Sequence, residues 1–233
     1  MFNGTMAASG DVVFQVIRKG DGGSYSDVPM KELTLREIVK HGFPRAGLPR
    51  EVLVWRIRNL PHLFRGLWRV LIARVLGIAT HYGTISLVKI KANGQFVNYG
   101  LASLRVVTDA GVGFIVDAFQ NLVELENMKF HGLGTGSTAE AANQTALVTE
   151  LTTQYNPNDT RATGTTTENG ANVYRTVGTN TVDGSAAVTE HGIFSQAAGG
   201  GGVMLDRSVF SAINLASGDS LQTTYDLTLT SGS

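Results

Sequence analysis

The chain has 233 residues, no cysteine, and equal numbers of acidic and basic residues, 19 of each. The missing cysteines exclude disulfides, thiolate metal sites and thiol nucleophiles. The hydrophobic fraction of 42% argues against a disordered chain, and 28 glycines with a charged fraction of only 16% favour β structure with many turns.

The zero net charge conceals an asymmetry along the sequence. Residues 1–95 contain 14 Lys and Arg against 6 Asp and Glu, a net +8, whereas residues 96–233 contain 5 against 13, a net −8. Complementary parts of this kind can attract each other within a chain or between copies. We therefore divide the chain into a basic mixed α/β attachment part, 1–95, and a Thr- and Gly-rich β-sandwich domain, 96–233. Nucleic-acid binding by the basic part is the competing interpretation.

The first predicted elements are a strand and a short helix. Residues 11–19 have the apolar run of a buried strand, and Thr34 is placed to cap a helix that continues to Lys40. Residues 1–10 lack the pattern of a signal peptide, and no apolar run reaches the ~18 residues that span a bilayer. We therefore expect a soluble protein that is synthesised in the cytoplasm and has no membrane partner.

The next segment, residues 53–76, is apolar and basic together. From Pro61 the apolar spacing is helical, with proline at a first-turn position and Gly77 as the stop. We expect this helix to pack its apolar side on a sheet; a helix lying on nucleic acid or on a membrane surface is the alternative. The candidate interface residues are Arg56, Arg58, Arg65, Arg69, Trp55 and Trp68. Because the chain carries a matching acidic surplus after residue 95, we expect the four arginines to meet protein carboxylates rather than phosphate.

A β-hairpin and a second helix follow. Asn93-Gly94 separates two extended runs, 84–91 and 95–105, and this dipeptide is typical of a type I′ turn, in which both central residues have positive φ. Helical spacing then predicts a leading helix over about 111–123, capped by Thr108 or Asp109.

After residue 128 the sequence predicts short strands between turns rich in Gly, Asn and Ser. Alternation is clearest over 203–209 and 221–229, and further strands are predicted at 128–133, 161–167, 172–181 and 187–194. The fold class expected is mainly β (α+β). A C-terminal antiparallel β-sandwich or barrel-like domain follows an N-terminal mixed α/β part with a hairpin and one or two helices.

No residue pattern predicts catalysis, a cofactor or a metal site. The Gly-rich segment 132–136 lacks the Lys-Ser or Lys-Thr of a phosphate loop, so a tight strand exit is favoured. His131 and His191 fall in predicted strands and are candidates for spatial neighbours; a shared metal would also need a carboxylate such as Glu190. Cross-strand packing of the two histidines is the simpler interpretation. The chain is therefore not expected to be an enzyme.

Five segments resemble a family of tailed-phage virion proteins. They are Val107-Thr-Asp-Ala-Gly-Val-Gly-Phe-Ile-Val-Asp-Ala-Phe119, Phe130-His-Gly-Leu-Gly-Thr-Gly-Ser-Thr-Ala139, Thr145-Ala-Leu-Val-Thr-Glu-Leu151, Val188-Thr-Glu-His-Gly-Ile-Phe194 and Leu205-Asp-Arg-Ser-Val-Phe210. The Gly-Thr-Gly strand exit and the later strand also resemble the β-domains of tail-fibre and baseplate proteins.

The resemblance implies a structural role in a phage particle. The expected function is that of a capsid decoration, or cement, protein that binds the assembled head and stabilises it. Its expected partners are the major capsid protein and copies of itself, as a trimer, and its expected location is the outer head surface of the virion. A tail-fibre or baseplate component in host attachment is the first alternative, and a glycan- or nucleic-acid-binding protein is the second.

Overall fold

The structure, a computed structural model, describes residues 34–76, 81–168 and 170–230. Three α-helices occur in this part: α1 (Leu35–Gly42), α2 (Arg50–Val75) and α3 (Asp109–Phe119), with a 3-10 turn at Leu125–Asn127. The strand predicted at 11–19 lies outside the described residues. Residues Leu33–Ser233 form one compact unit.

Two antiparallel sheets contain the strands of the described residues. The strands are β1 (His81–Ile90), β2 (Phe96–Val106), β3 (Phe130–Gly134), β4 (Tyr155–Asn156), β5 (Ala162–Thr163), β6 (Thr165–Glu168), β7 (Val173–Val182), β8 (Ala186–Phe194), β9 (Met204–Leu215) and β10 (Ser220–Leu229). The larger sheet has the order β2-β1-β10-β7-β4, with β6 also on β7, and the smaller has the order β5-β3-β8-β9.

The two sheets share one hydrophobic core, as expected of a sandwich. Ile85 and Tyr225 from the larger sheet lie fully buried in the same cluster as Val188, Ile193 and Phe210 from the smaller one. Inward and outward residues alternate along much of β10, as the sequence predicted. The mainly β, α+β fold class is confirmed. Strands occur in every segment predicted after residue 128, but 161–167 forms two strands in different sheets, β5 and β6, and β9 continues to Leu215, beyond the predicted end at 209.

The predicted hairpin is present, although its turn is of a different type. β1 and β2 pair antiparallel, and the Lys91 N–H donates to the Gln95 carbonyl at 2.8 Å. The Gly94 N–H donates to the Lys91 carbonyl at 2.7 Å, and of the Asn-Gly pair only Gly94 has a positive φ, +80°. This is the pattern of a type I turn followed by a left-handed glycine, so the expected type I′ turn is wrong.

The boundary drawn after residue 95 falls in this hairpin, immediately before β2. Because β1 and β2 are paired strands of one sheet, and residues on both sides belong to the unit Leu33–Ser233, that position does not separate two compact units. The change in net charge at residue 95 therefore does not coincide with a boundary between two compact units of the fold.

Helix α2 begins eleven residues before the predicted start. Pro61 was expected at its first turn, but it lies inside a continuous helix that starts at Arg50, directly after Pro49. Proline lacks the N–H that would bond four residues back, to Ile57. Both residues are exposed, so solvent can hydrate the carbonyl group that Pro61 leaves unpaired.

The caps predicted for the other two helices are confirmed. The Thr34 side chain accepts from the Glu37 N–H at 3.2 Å and begins α1. The Thr108 side chain accepts from the Gly111 N–H at 3.0 Å and begins α3, which ends at Phe119 rather than near 123. Thr108 also donates its hydroxyl to the Met204 carbonyl at 2.6 Å, which fixes the start of α3 against β9.

Candidate interaction surfaces

The inner face of α2 is anchored to the sandwich by buried polar groups. The Trp55 indole N–H donates to the Ser211 carbonyl at 2.8 Å, and the Asn59 side chain donates to the Ala102 carbonyl at 2.7 Å. Arg56 is buried, and its Nε donates to the Tyr99 carbonyl at 2.9 Å. These contacts hold α2 against β2 and β9.

Two of the six candidate interface residues therefore do not lie on the surface. Trp55 packs against the Tyr99 ring with centroids 4.9 Å apart, and Arg56 also donates to the Phe43 carbonyl at 3.1 Å, near the end of α1. Their assignment to an interface was wrong. Both face the sheet because the helix begins before Pro61 and includes them in its packed side.

The other four candidates lie on the outer face of α2. Arg58, Arg65, Trp68 and Arg69 are all exposed, and 63% of Trp68 is accessible. The Arg65 guanidinium lies 3.5 Å from a carboxylate oxygen of Glu140. That arginine therefore meets a protein carboxylate of its own chain, as expected.

Large apolar residues line the same outer face. We call this set the α2 stripe; its members, which alternate in steps of three and four, are Val54, Ile57, Pro61, Phe64, Trp68, Leu71 and Val75. Val75 is 78% accessible. Spacing of this kind lines one side of a helix and is typical of a seam against another helix. The sequence predicted apolar residues in α2 but not that so many would face outward.

A second exposed apolar face lies on α3 and the turn that follows it. We call this set the α3 stripe, and it consists of Val112, Val116, Phe119, Leu122 and Leu125. Phe119 is 87% accessible, while Phe114 on the opposite side of the helix is buried in the core. The sequence predicted a helix that includes Val112, Val116, Phe119 and Leu122, but not that these residues would face outward. The missed signal was that α3 has more apolar positions than a single face can bury.

Comparison with known proteins identified no relative. No family model, curated protein or solved structure matches this chain. Its function must therefore be argued from its own surfaces and interior.

His131 and His191 are neighbours, in keeping with the sequence interpretation. Nδ1 of His131 lies 3.1 Å from Nε2 of His191, and Nε2 of His131 lies 3.2 Å from the Thr176 hydroxyl. Complete burial lowers the pKa of His131 to about 3 and holds the pKa of His191 well below its usual value. The arrangement is that of two neutral rings in cross-strand packing.

The carboxylate proposed as a possible third ligand has other partners. Glu190 accepts from the N–H groups of Gly136, Val148 and Thr149 at 2.8–3.1 Å, and from Arg207 Nε at 2.8 Å. Within the described ranges no group of three His, Asp or Glu residues is placed to hold a metal ion.

The Gly-rich segment 132–136 surrounds that carboxylate. A Cβ atom at Gly134 or Gly136 would lie 2.5 or 2.6 Å from Glu190 Oε1, so both positions require glycine. Backbone N–H groups of this kind can bind a phosphate. Here the anion they surround is the chain's own Glu190, so the segment is a strand exit built around an internal carboxylate.

Further buried ion pairs brace the interior of the sandwich. Arg105 and Glu140 are 2.6 Å apart, and Arg175 and Asp226 are 2.6 Å apart. Arg161 holds both oxygens of Glu150, at 2.5 and 2.8 Å. Such pairs fix the relative positions of the loops and strands that carry them.

Within the part of the chain that the structure describes, two ion pairs join residues from the basic and acidic parts of the sequence. One is Arg65–Glu140, and the other is Lys89–Asp219 at 2.9 Å. The charge asymmetry is therefore compensated in part within one chain. No helix of the described residues combines the length and apolarity needed to cross a membrane.

Proposed function

We propose that the protein is a structural component of a tailed-phage particle, and that it binds the outer head surface as a decoration, or cement, protein. Support comes first from where the phage-like segments lie. Residues 107–119 include α3, and residues 130–139, 188–194 and 205–210 form or extend β3, β8 and β9. These three strands are neighbours in the smaller sheet, so the resemblance falls on one contiguous block of the fold.

The observation that carries the proposal is the outer face of α2. It combines the α2 stripe with the exposed guanidinium groups of Arg58, Arg65 and Arg69. A monomer rarely exposes contiguous apolar patches larger than ~300–600 Å² unless they bind something. Arginine beside apolar side chains is well suited to protein interfaces, because its stem packs while its planar head binds carboxylates.

The proposed mechanism requires no catalysis. A protein that binds the assembled lattice but not its separated subunits stabilises the lattice by mass action. A sandwich with a braced interior would transmit load between the subunits that it bridges. The exposed helix face would supply the contacts that hold neighbouring copies together on that lattice.

The first test is the number of copies in purified particles, measured by quantitative mass spectrometry. A head decoration protein is expected in hundreds of copies per particle. A handful of copies would contradict the head assignment and favour the tail or baseplate. Absence from particles that are made while the protein is expressed would reject the structural role.

The second test changes the outer face of α2. Replacing Arg58 and Arg69 together (Arg58→Gln, Arg69→Gln) is expected to reduce incorporation several-fold while leaving the circular dichroism spectrum unchanged. The matched control changes Arg36 and Arg45, which are exposed but lie outside α2, in the same way (Arg36→Gln, Arg45→Gln). An equal reduction of incorporation in the two variants would show that net charge, not the α2 face, governs attachment. Tight DNA binding with a steep salt dependence that only the α2 variant loses would instead favour a nucleic-acid role.

A further inference from the structure

The two exposed apolar faces carry opposite charges. Among the described side chains of α2, four arginines and one glutamate are exposed, a net +3, whereas Arg56 is buried; the exposed five are Arg50, Arg58, Arg65, Arg69 and Glu51. The segment from α3 through the 3-10 turn, residues 109–127, contains Asp109, Asp117, Glu124 and Glu126 and neither lysine nor arginine, a net −4. Each apolar stripe therefore has a charged border whose sign is opposite to that of the other.

We propose that the α2 stripe of one copy packs against the α3 stripe of the next copy. The protein would then associate head to tail with itself. This inference deepens the proposed function, on which it rests, by naming the partner of the α2 face. A symmetric assembly of copies on a head surface needs a repeated contact of this type.

The spacing of the two stripes fits helix-on-helix packing. The α2 stripe alternates in steps of three and four, and Val112, Val116 and Phe119 continue the same alternation on α3. Residues spaced in this way form the ridges that interdigitate when two helices pack. Trp68 and Phe119 are the largest exposed side chains of the two stripes and are the natural anchors.

The area that this contact would bury is sufficient. With ~150–250 Å² for each large side chain, the accessible fractions amount to roughly 700 Å² for the α2 stripe and roughly 600 Å² for the α3 stripe. A standard protein interface buries about 800 Å² on each partner. The apolar stripes alone supply most of that area, and the charged residues beside them would enlarge the contact.

Charge decides against a symmetric contact between two α2 helices. Pairing α2 with α2 would bring together two faces that each carry a net +3, and like charges across an interface disfavour association. Pairing α2 with α3 brings arginines such as Arg58 and Arg69 toward carboxylates such as Asp117 and Glu124. A contact between two different faces is heterologous, and it closes into a ring when the rotation between copies allows.

The test uses charge reversal on each face of the full-length chain. Variant A reverses α2 (Arg58→Glu, Arg69→Glu), and variant B reverses the acidic border (Asp117→Lys, Glu124→Lys). The mass of each is measured by analytical ultracentrifugation over a range of concentrations and salt. We expect the wild type to form a discrete oligomer. A and B should each associate at least roughly tenfold more weakly, because like charges then face each other across the contact.

The combined variant AB provides the decisive result. Its α2 is acidic and its α3 border is basic, so AB should regain the oligomer of the wild type but should not mix with wild-type chains. Arg58, Arg69 and Glu124 are exposed and Asp117 is partly buried, so thermal melts followed by circular dichroism check that every variant is folded. The glutamine and asparagine versions of the same positions (Arg58→Gln, Arg69→Gln; Asp117→Asn, Glu124→Gln) keep the test valid if a reversal impairs folding.

Several results would overturn the inference. A wild type that stays monomeric at ~100 μM excludes the contact. An oligomer that A disrupts and B leaves intact excludes the α3 stripe and indicates another partner for α2. An AB variant that fails to associate excludes charge pairing between the two faces. These measurements need no particles, so they are independent of the copy number in particles. Loss of the self-association hypothesis would leave the structural role standing, and loss of the structural role would leave the self-association hypothesis standing.

Discussion

Replacing Gly66 by alanine tests the close contact between α2 and β2. Gly66 lies on the inner face of the helix, where a Cβ atom would overlap the carbonyl oxygen of Leu104 and lie 2.8 Å from its carbonyl carbon. Both atoms belong to the backbone of β2, so no side-chain rotation can relieve the overlap. The helix would have to move away from the strand and loosen the packing of Leu63 and Trp55 beneath it.

The expected magnitude follows from two opposing effects. Alanine favours a helix over glycine by about 1 kcal/mol, whereas overpacking of a tight contact costs typically 1–3 kcal/mol and more when the backbone must shift. The overlap is severe and involves fixed atoms, so we expect a net loss of about 2 kcal/mol in the free energy of unfolding. For a chain of this size, that loss lowers Tm by roughly 4–8 °C.

Gly113→Ala is the matched control. Gly113 is exposed on α3, and a Cβ atom there has no other atom within 4 Å. The same chemical change should therefore raise the free energy of unfolding by roughly 0.5–1 kcal/mol. Urea titration followed by tryptophan fluorescence and circular dichroism measures both variants. A Gly66→Ala protein as stable as the wild type, or a Gly113→Ala protein that loses stability, would refute the proposed contact between helix and strand.

Two further predictions concern buried carboxylates. Burial raises the pKa of Asp206 to about 7 from its usual 3.8, so the folded state binds a proton that the unfolded state has released. The free energy of unfolding is therefore expected to fall by up to a few kcal/mol as pH rises from about 4 to above 7. Asp206→Asn should remove this pH dependence, measured by urea titration at a series of pH values. The same pH dependence in the wild type and the variant would disprove the prediction. Glu190→Gln should lower the free energy of unfolding by about 3–5 kcal/mol, because it leaves the buried Arg207 without its counter-charge. The control Glu124→Gln, at an exposed position, should change it by less than ~0.5 kcal/mol. Similar melting curves for these two variants would contradict the bracing role of Glu190.

Sequence patterns predicted the elements whose signals are local. The alternation in β10 predicts a strand with one buried face, and the Asn93-Gly94 pair predicts a turn. Both structures could be predicted because each depends on neighbouring residues alone. Thr34 and Thr108 were identified as caps for the same reason. The turn type escaped prediction because Asn-Gly also suits a longer loop in which only the glycine has a positive φ.

The side of α2 that faces inward could not be predicted from α2 itself. Arg56 is buried because carbonyl groups of Tyr99 and Phe43, remote from it in sequence, accept its hydrogen bonds. Similarly, Glu190 is held by backbone N–H groups more than forty residues away. Such partners depend on how the chain folds back on itself, and no local pattern encodes them.

The position of β10 in the larger sheet affects how the chain folds during synthesis. β10 lies between β1 and β7, yet the ribosome makes it after the other nine described strands. Until Ser220–Leu229 emerges, the hairpin of β1 and β2 has an open hydrogen-bonding edge and no route to β7. Contacts between strands so distant in sequence form slowly, and open edges invite pairing with other chains in the meantime. Closure of the larger sheet is therefore a late event. A ribosome that stops before β10 releases a chain in which the pairing of β1 with β10, the longest-range strand pairing of the described residues, cannot form.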